Sequence, residues 1–150
     1  MNTVDLTGAL AESASEVLET MYFTGVAGST DREPPAGDDW VCTRLDFRGT
    51  RSGSVGVRAP LQTARVLAES FLGAEPETIT ESQCVEVLGE MTNMICGNVL
   101  SRLAREERFA LSHPEPEPAD WNGQWRNHTV ASIFQLDDGA LALWLDWETA

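Results

Sequence analysis

The chain has 150 residues, of which 42% are hydrophobic, and a formal net charge of −14 without a single lysine. This length suits one domain over residues 1–150 and buries enough apolar surface to fold without a disulfide or a structural metal. The acidic balance disfavours nucleic acid and membrane surfaces as partners, and the missing lysine excludes a P-loop and Schiff-base chemistry.

Cysteine usage and the N-terminal residues indicate a cytoplasmic location. Cys42, Cys84 and Cys96 are odd in number and lack the spacing of a zinc site, so we expect buried, reduced thiols. The first residues include Asp5 and Glu12 and no basic cluster, which argues against a signal peptide. No apolar run approaches the about 18 residues that a membrane span requires.

The first half of the chain predicts a helix, a hairpin and a second helix. A helical apolar period predicts the first helix over Thr3–Phe23. Its inner face is expected to contain Leu6, Leu10, Val17, Leu18 and Met21. Alternating polarity in Trp40–Phe47 and Ser54–Arg58 predicts the hairpin. Pro60 suits the start of the second helix and Gly73 its end.

A third, central helix has two candidate starts. Thr78 with Glu81 and Thr80 with Gln83 both have the spacing of a capping box. We expect this helix to end at about Glu107.

A strand and a hairpin complete the chain. Phe109–Ser112 predicts a short strand, and the prolines of Pro114–Pro118 are expected to break all regular structure. Thr129–Leu136 and Ala140–Trp147 predict a hairpin that turns at Asp137–Gly139. The order of elements suggests two similar halves.

The central helix carries a polar stripe opposite its apolar face. Each residue of a helix is rotated by about 100° from the one before it. This rotation places four residues on the apolar side: Cys84, Leu88, Met91 and Ile95. The stripe consists of Glu86, Glu90, Asn93, Gly97 and Ser101. Glu90 and Asn93 are helix neighbours, and a glycine beside them allows a partner surface to come close. The Glu-x-x-Asn spacing alone is much more typical of a solvated helix face than of a functional site.

The decamer Gly89–Asn98, its position within a helix and the layout of the chain resemble the CheX branch of the CheC/CheX/FliY family of chemotaxis phosphatases. The resemblance implies an α/β (α+β) fold, a pseudo-twofold domain with a mainly antiparallel sheet covered by two long helices. In two-site members each long helix carries Glu-x-x-Asn. The first helix here has the pairs Glu12 and Ser15, Glu16 and Glu19, and Glu19 and Tyr22. None contains asparagine, which implies one site per chain.

The resemblance implies hydrolysis of the phosphoaspartate of a phosphorylated CheY-like response regulator. Such hydrolysis has a loose transition state, so placing a water in line is the main requirement. Asn93 is too weak a base to remove a proton, but its carbonyl oxygen can hold that water. Glu90 would pair with the regulator's lysine beside the phosphoaspartate. We expect the regulator to supply Mg2+, and this chain to bind no cofactor or metal of its own.

Residues beside this pair are candidate partner contacts. We expect Glu86, Gly97 and Leu100 to touch the regulator, although Glu86 also suits a solvated residue and Leu100 suits packing at the edge of the core. Asn98 is expected to be a buried polar group with its hydrogen bonds satisfied. Two other functions fit the same helix: a non-catalytic module that binds a receiver domain or a flagellar-switch component, and a sensory or scaffold protein with a lapsed site.

The C-terminal strand suggests a homodimer. Trp144 and Trp147 are expected to share one face of a strand without lysine to protect its edge, and the resemblance implies pairing through the sheet. The alternative is a monomer in which that face covers the core. His113 and His128 are expected to be loop or strand-edge residues without a catalytic role.

Overall fold

The computed structural model describes residues 2–30, 39–117, 124–137 and 139–148. Its helices are α1 (Thr3–Met21), α2 (Leu61–Leu72) and α3 (Glu81–Leu103), with 3-10 turns at Pro76–Thr78 and Gln124–Asn127. The strands are β1 (Val26–Thr30), β2 (Trp40–Gly49), β3 (Ser52–Pro60), β4 (Phe109–Leu111), β5 (Glu115–Glu117), β6 (Val130–Leu136) and β7 (Gly139–Glu148). Within these described ranges, no helix has the length and apolar character needed to cross a membrane.

The strands form one antiparallel sheet in the order β1-β6-β7-β3-β2-β4, and β5 also pairs with β2. Because side chains alternate along a strand, β7 turns Leu141, Leu143, Leu145 and Trp147 toward the core. The three helices contribute to that same core, so they lie on one face of the sheet. The predicted fold class, α/β (α+β) with a mainly antiparallel sheet under long helices, is confirmed.

The first helix is shorter than predicted. It ends at Met21, because Phe23 adopts a left-handed backbone conformation with φ 55° that a right-handed helix cannot continue. Met21 is 42% exposed and does not join the inner face. The other predicted inner residues are buried: Leu6, Leu10, Val17 and Leu18.

The third helix also ends early, at Leu103 instead of about Glu107. Ala104 leaves the helical region with φ −146° and ψ 55°, while its N–H still bonds to the Leu100 carbonyl. The Glu107 N–H then bonds to the Ala104 carbonyl in a separate turn. The prediction extended the helix through this turn because Ala104–Glu107 contains residues with good helix propensity.

The prediction that the proline run has no regular structure is wrong for residues 115–117. They form β5, in which Pro116 lies opposite Thr43 of β2. Proline is tolerated in a strand that needs no ladder donor on its outer side. Pro118 and the turn residue Asp138 lie outside the described residues. Strand β1 was not predicted, since its exposed small residues lack an apolar alternation.

The sheet edge invoked for a homodimer does not exist at β7. This strand pairs with β6 on one side and β3 on the other, so it lies inside the sheet. Trp144 and Trp147 also point to opposite faces, because residues three apart in a strand cannot share one. Trp147 packs against Phe47 with ring centroids 5.8 Å apart, whereas Trp144 stacks on His128 at 4.7 Å.

The three cysteines are buried and unpaired. Burial raises the pKa of Cys42 and of Cys96 to about 12. Since only a thiolate is a good nucleophile, these two thiols are packing groups.

Candidate functional site

The start of α3 is fixed by two reciprocal hydrogen bonds. The Thr80 hydroxyl accepts from the Gln83 N–H at 3.1 Å, and the Gln83 side-chain carbonyl accepts from the Thr80 N–H at 2.8 Å. This capping box satisfies two donors that a first helical turn leaves free. Of the two predicted starts, Thr80 with Gln83 is the one that forms.

The rotation of α3 about its axis places the predicted polar stripe in solvent. All five stripe residues are exposed: Glu86, Glu90, Asn93, Gly97 and Ser101. The predicted apolar face is buried: Cys84, Leu88, Met91 and Ile95. Neither Glu90 nor Asn93 uses its side chain in a hydrogen bond to another residue in the part of the chain that the structure describes. Both polar groups are therefore available to a partner.

The helical turn just before this pair is held from two sides. From the residue that follows α1, the buried Tyr22 hydroxyl donates to the Val87 carbonyl at 3.3 Å. From β2, the Thr43 hydroxyl lies 2.6 Å from the Thr92 hydroxyl, which donates to the Leu88 carbonyl at 2.8 Å. We call these three side chains, Tyr22, Thr43 and Thr92, the hydroxyl clamp. Through it, the consecutive carbonyls of Val87 and Leu88 are hydrogen-bonded to the end of α1 and, by way of Thr92, to β2 of the sheet.

The clamp is electrostatically coupled to the site. Burial, with a further contribution from the negative charge of Glu90, raises the pKa of Tyr22 well above its ordinary value. Tyr22 consequently remains a protonated donor near neutral pH. Sequence reasoning missed this role, because the only signal was a threonine, Thr43, at an inward position between apolar residues of β2.

Two glycines of α3 have different surroundings. A Cβ at Gly89 would lie 3.3 Å from the Pro114 Cβ, so this glycine allows the segment before β5 to lie close to the helix. A Cβ at Gly97 would meet no atom of the described residues within 4 Å. A glycine inside a helix costs about 1 kcal/mol relative to alanine. Packing among the described residues gives no reason for glycine at position 97.

The structure decides between the two placements open to Leu100 and adjusts that of Asn98. Leu100 is only 6% exposed and belongs to the core, so it packs at the edge of the core and is not an exposed residue of the polar stripe. The helical step turns Leu100 toward the buried Cys96, one turn earlier. Asn98 is half-buried, and its hydrogen bonds are satisfied. It donates to Glu16 at 2.7 Å and accepts from Arg102 at 2.7 Å, which ties α3 to α1.

An open groove of about 540 Å3 adjoins the site. One wall is the α3 surface that carries Glu86, Gly89 and Glu90, and the opposite wall is the segment His113–Pro116. Phe71 and Leu72, at the end of α2, contribute apolar surface. We call this cavity the acidic groove, because its charged residues are glutamates.

A second polar cluster lies away from α3. His128 Nδ1 is 3.0 Å from Asp146, which also accepts from the Thr129 N–H at 3.0 Å and from the Ser54 hydroxyl at 3.3 Å. The carboxylate occupies the centre, so the cluster lacks the histidine-centred order of a serine nucleophile relay. Burial opposes ionisation of Asp146, but the hydrogen bond and charge of His128 outweigh it and lower the pKa of Asp146.

No metal site is formed by the described residues, among which no group of three or more histidine, cysteine, aspartate or glutamate side chains converges. The α3 site presents one carboxylate, Glu90, and one amide, Asn93, to a partner. Such a pair can orient water and can accept or donate hydrogen bonds.

Solved structures of chemotaxis proteins share the fold of this chain. CheX from Vibrio vulnificus has a TM-score of 0.74 and 18% identity, with 99% of both chains covered. CheX from Desulfovibrio desulfuricans has a TM-score of 0.71 and 18% identity, with 95% of this chain and 99% of that chain covered. At these identities the similarity concerns the fold.

A complex is among the similar structures. The CheX-CheY-BeF3-Mg2+ complex from Borrelia burgdorferi matches with a TM-score of 0.71 and 17% identity, covering 95% of this chain and 97% of that chain. The family model described as "Chemotaxis phosphatase CheX" matches residues 41–116, slightly more than half of the sequence. The chain belongs to the CheX family of chemotaxis phosphatases. No curated protein sequence matches it.

Proposed function

We propose that this chain hydrolyses the phosphoaspartate of a CheY-like response regulator, using Asn93 and Glu90. The observation that carries the proposal is that these two side chains stand one turn apart, exposed and without a hydrogen-bond partner among the described residues, on a helical turn held by the hydroxyl clamp. Family membership and the similarity to a CheX that was solved with CheY, BeF3 and Mg2+ support the choice of substrate.

Asn93 orients the attacking water. Its carbonyl oxygen accepts a hydrogen bond from that water, and its NH2 group donates to a phosphoryl oxygen. The transition state is loose and needs little proton removal, so placement of the water in line supplies most of the catalysis. Gly97, one turn further along α3, leaves room for the regulator surface to approach this amide.

Glu90 docks the regulator. Its carboxylate accepts a hydrogen bond from the lysine beside the phosphoaspartate, which sets the distance between Asn93 and the phosphoryl group. Glu86, one turn earlier on the same exposed face, adds a second negative charge toward the regulator. An interfacial charge pair of this kind acts on affinity and orientation together.

The magnesium ion belongs to the regulator. Mg2+ prefers octahedral coordination, which usually combines one or two carboxylates with phosphate oxygens and water. Glu86 and Glu90 alone would offer an ion only two carboxylates, and Asn93 is engaged with the water, so we assign the ion to the acidic pocket of the regulator. When bound there, it would neutralise charge on the phosphoryl oxygens.

Turnover of phosphorylated receiver domains tests the proposal. Receiver domains from the source genome would be phosphorylated with radiolabelled acetyl phosphate, and loss of label would be followed with this chain, with the Asn93→Ala variant and with buffer. We expect at least one receiver domain to lose its label faster with the wild-type chain than with buffer, and the Asn93→Ala variant to give no such acceleration. Binding without acceleration would favour the non-catalytic module, and neither binding nor acceleration would favour a scaffold with a lapsed site.

We propose further that the chain acts in the cytoplasm as one domain over residues 1–150 and forms a homodimer. Among the described strands, β1 lies at one edge of the sheet. The unpaired backbone groups of an edge strand can pair with a second chain. Sedimentation equilibrium at micromolar concentrations measures the assembly directly. A mass that stays near the 16.4 kDa of one chain would refute the dimer.

A further inference from the structure

The acidic groove beside Glu90 has the composition of a docking site rather than of a reaction site. Apolar side chains of Phe71, Leu72 and Val85 line it, and Leu72 is 45% exposed. The opposite wall contributes Pro114 and Pro116. Exposed leucine and proline surface in a concave site loses contact with water when an apolar group enters.

The charge of the groove has one sign. Glu86, Glu90 and Glu115 are exposed, and none of them forms an ion pair within the part of the chain that the structure describes. No arginine is among the described lining residues, and the chain has no lysine to supply a positive charge. An apolar group next to a basic group is the complement of this surface.

The groove walls are held in place by the fold. Strand β5 keeps the segment His113–Pro116 beside α3 by pairing with β2. Gly89 allows close approach at Pro114, and the hydroxyl clamp fixes the facing turn of α3. A site whose walls are already ordered loses little conformational entropy on binding.

We infer that the acidic groove binds a segment of the response regulator in which an apolar side chain is followed or preceded by a lysine or arginine, and that this contact selects the regulator. The inference rests on the proposed function. The apolar side chain packs on Leu72, and the basic one lies between Glu86 and Glu115. Glu86 and Asn93 are seven residues apart, or about 10 Å along a helix, so the bound segment lies about that far from the phosphoaspartate.

Replacing Leu72 tests the apolar half of the inference. The receiver domain that turns over fastest in the screen above serves as substrate, and kcat and KM are measured for Leu72→Gln. Because a buried hot-spot contact affects binding rather than the remote chemistry, we expect KM to rise roughly tenfold with kcat unchanged. Val4→Gln is the matched control, since Val4 is a helical residue 77% exposed outside the groove.

Replacing two glutamates tests the charged half. Glu86→Gln with Glu115→Gln should raise KM and reduce its dependence on salt between about 50 and 300 mM, because screening acts on charge pairs. Glu19→Gln with Glu106→Gln changes the net charge equally at exposed positions outside the groove and should leave KM unaltered. Melting temperatures would verify that the variants fold.

The outcomes separate the two proposals. A wild-type chain that accelerates no receiver domain overturns the proposed function. A wild-type chain that is active, with a KM that Leu72→Gln or the double glutamate variant changes less than about twofold, overturns the acidic groove as the docking site and leaves the phosphatase assignment intact.

Discussion

Replacing Gly97 with alanine should make the free protein more stable and a poorer enzyme. The position lies inside α3 and is exposed, and in the part of the chain that the structure describes no atom lies within 4 Å of an added Cβ. Alanine therefore fits without a shift of its neighbours. The gain in helix propensity should raise the free energy of unfolding by about 0.5–1 kcal/mol.

The loss of activity has a separate origin in the complex. Gly97 follows Asn93 by one turn on the face that we assign to the regulator. Interface cores pack as densely as protein interiors, and one extra methyl group in such packing costs about 1–3 kcal/mol. We therefore expect kcat/KM to fall by roughly 5- to 150-fold.

Gly8→Ala provides a matched control. Gly8 is also an exposed glycine within a long helix, α1, and an added Cβ there meets nothing within 4 Å. Urea unfolding should show similar gains in stability for both variants, whereas only Gly97→Ala should lose turnover of the phosphorylated receiver domain. Equal activity of the two variants would refute the argument that Gly97 exists for close approach.

The remaining predictions concern the catalytic pair, the metal and the second polar cluster. Asn93→Ala should lower the rate by roughly 10²- to 10³-fold, as loss of one transition-state donor does, with nearly unchanged binding by calorimetry; activity within a few-fold of wild type would remove Asn93 from the mechanism. Glu90→Ala should weaken both binding and rate, by about 2–5 kcal/mol if the regulator's lysine is buried in the complex, and unchanged affinity would contradict this docking role. A chelator should stop hydrolysis, yet titration of the isolated chain with Mg2+ should give no heat of binding; a stoichiometric site would indicate a self-contained metallophosphatase. Because the pKa of Asp146 is lowered in the folded state, its contribution to stability is complete above the unfolded value of about 3.9 and declines as pH falls through the folded value. The free energy of unfolding, measured by chemical unfolding at several acidic pH values, should therefore change less with pH for Asp146→Asn than for the wild type. Identical pH dependence of the two proteins would exclude this contribution of Asp146.

The orientation of the site was predictable because a local period determines it. The 3.6-residue repeat alone predicts that Leu88 and Met91 are buried and that Glu90 and Asn93 are exposed. The sequence left two placements open for Leu100 because the repeat gives only an angle, and a residue near the border of two faces is buried or exposed according to what packs against it. Neighbouring elements supply that surface, and one helix does not encode it.

Elements held mainly by their partners could not be predicted. Strand β5 has three residues with a central proline, and only its pairing with residues 42–44 makes it a strand. Strand β1 likewise gains its order from β6, since four of its five residues are exposed. Local propensity is a weak prior that tertiary contacts override in such short segments.

The hydroxyl clamp explains how an exposed pair of side chains can be held in a defined position. Glu90 and Asn93 make no hydrogen bonds of their own to the described residues, so their placement depends on the backbone that carries them. That backbone is fixed by contacts across 65 residues, from Tyr22 to Val87, and across 49 residues, from Thr43 to Thr92. A buried hydroxyl that lost its partner would cost about 1–3 kcal/mol, which opposes rotation or sliding of α3. The groups that we propose for recognition of the regulator are thus local and visible in the sequence, whereas the groups that hold them in place are distant along the chain and become visible only in the fold.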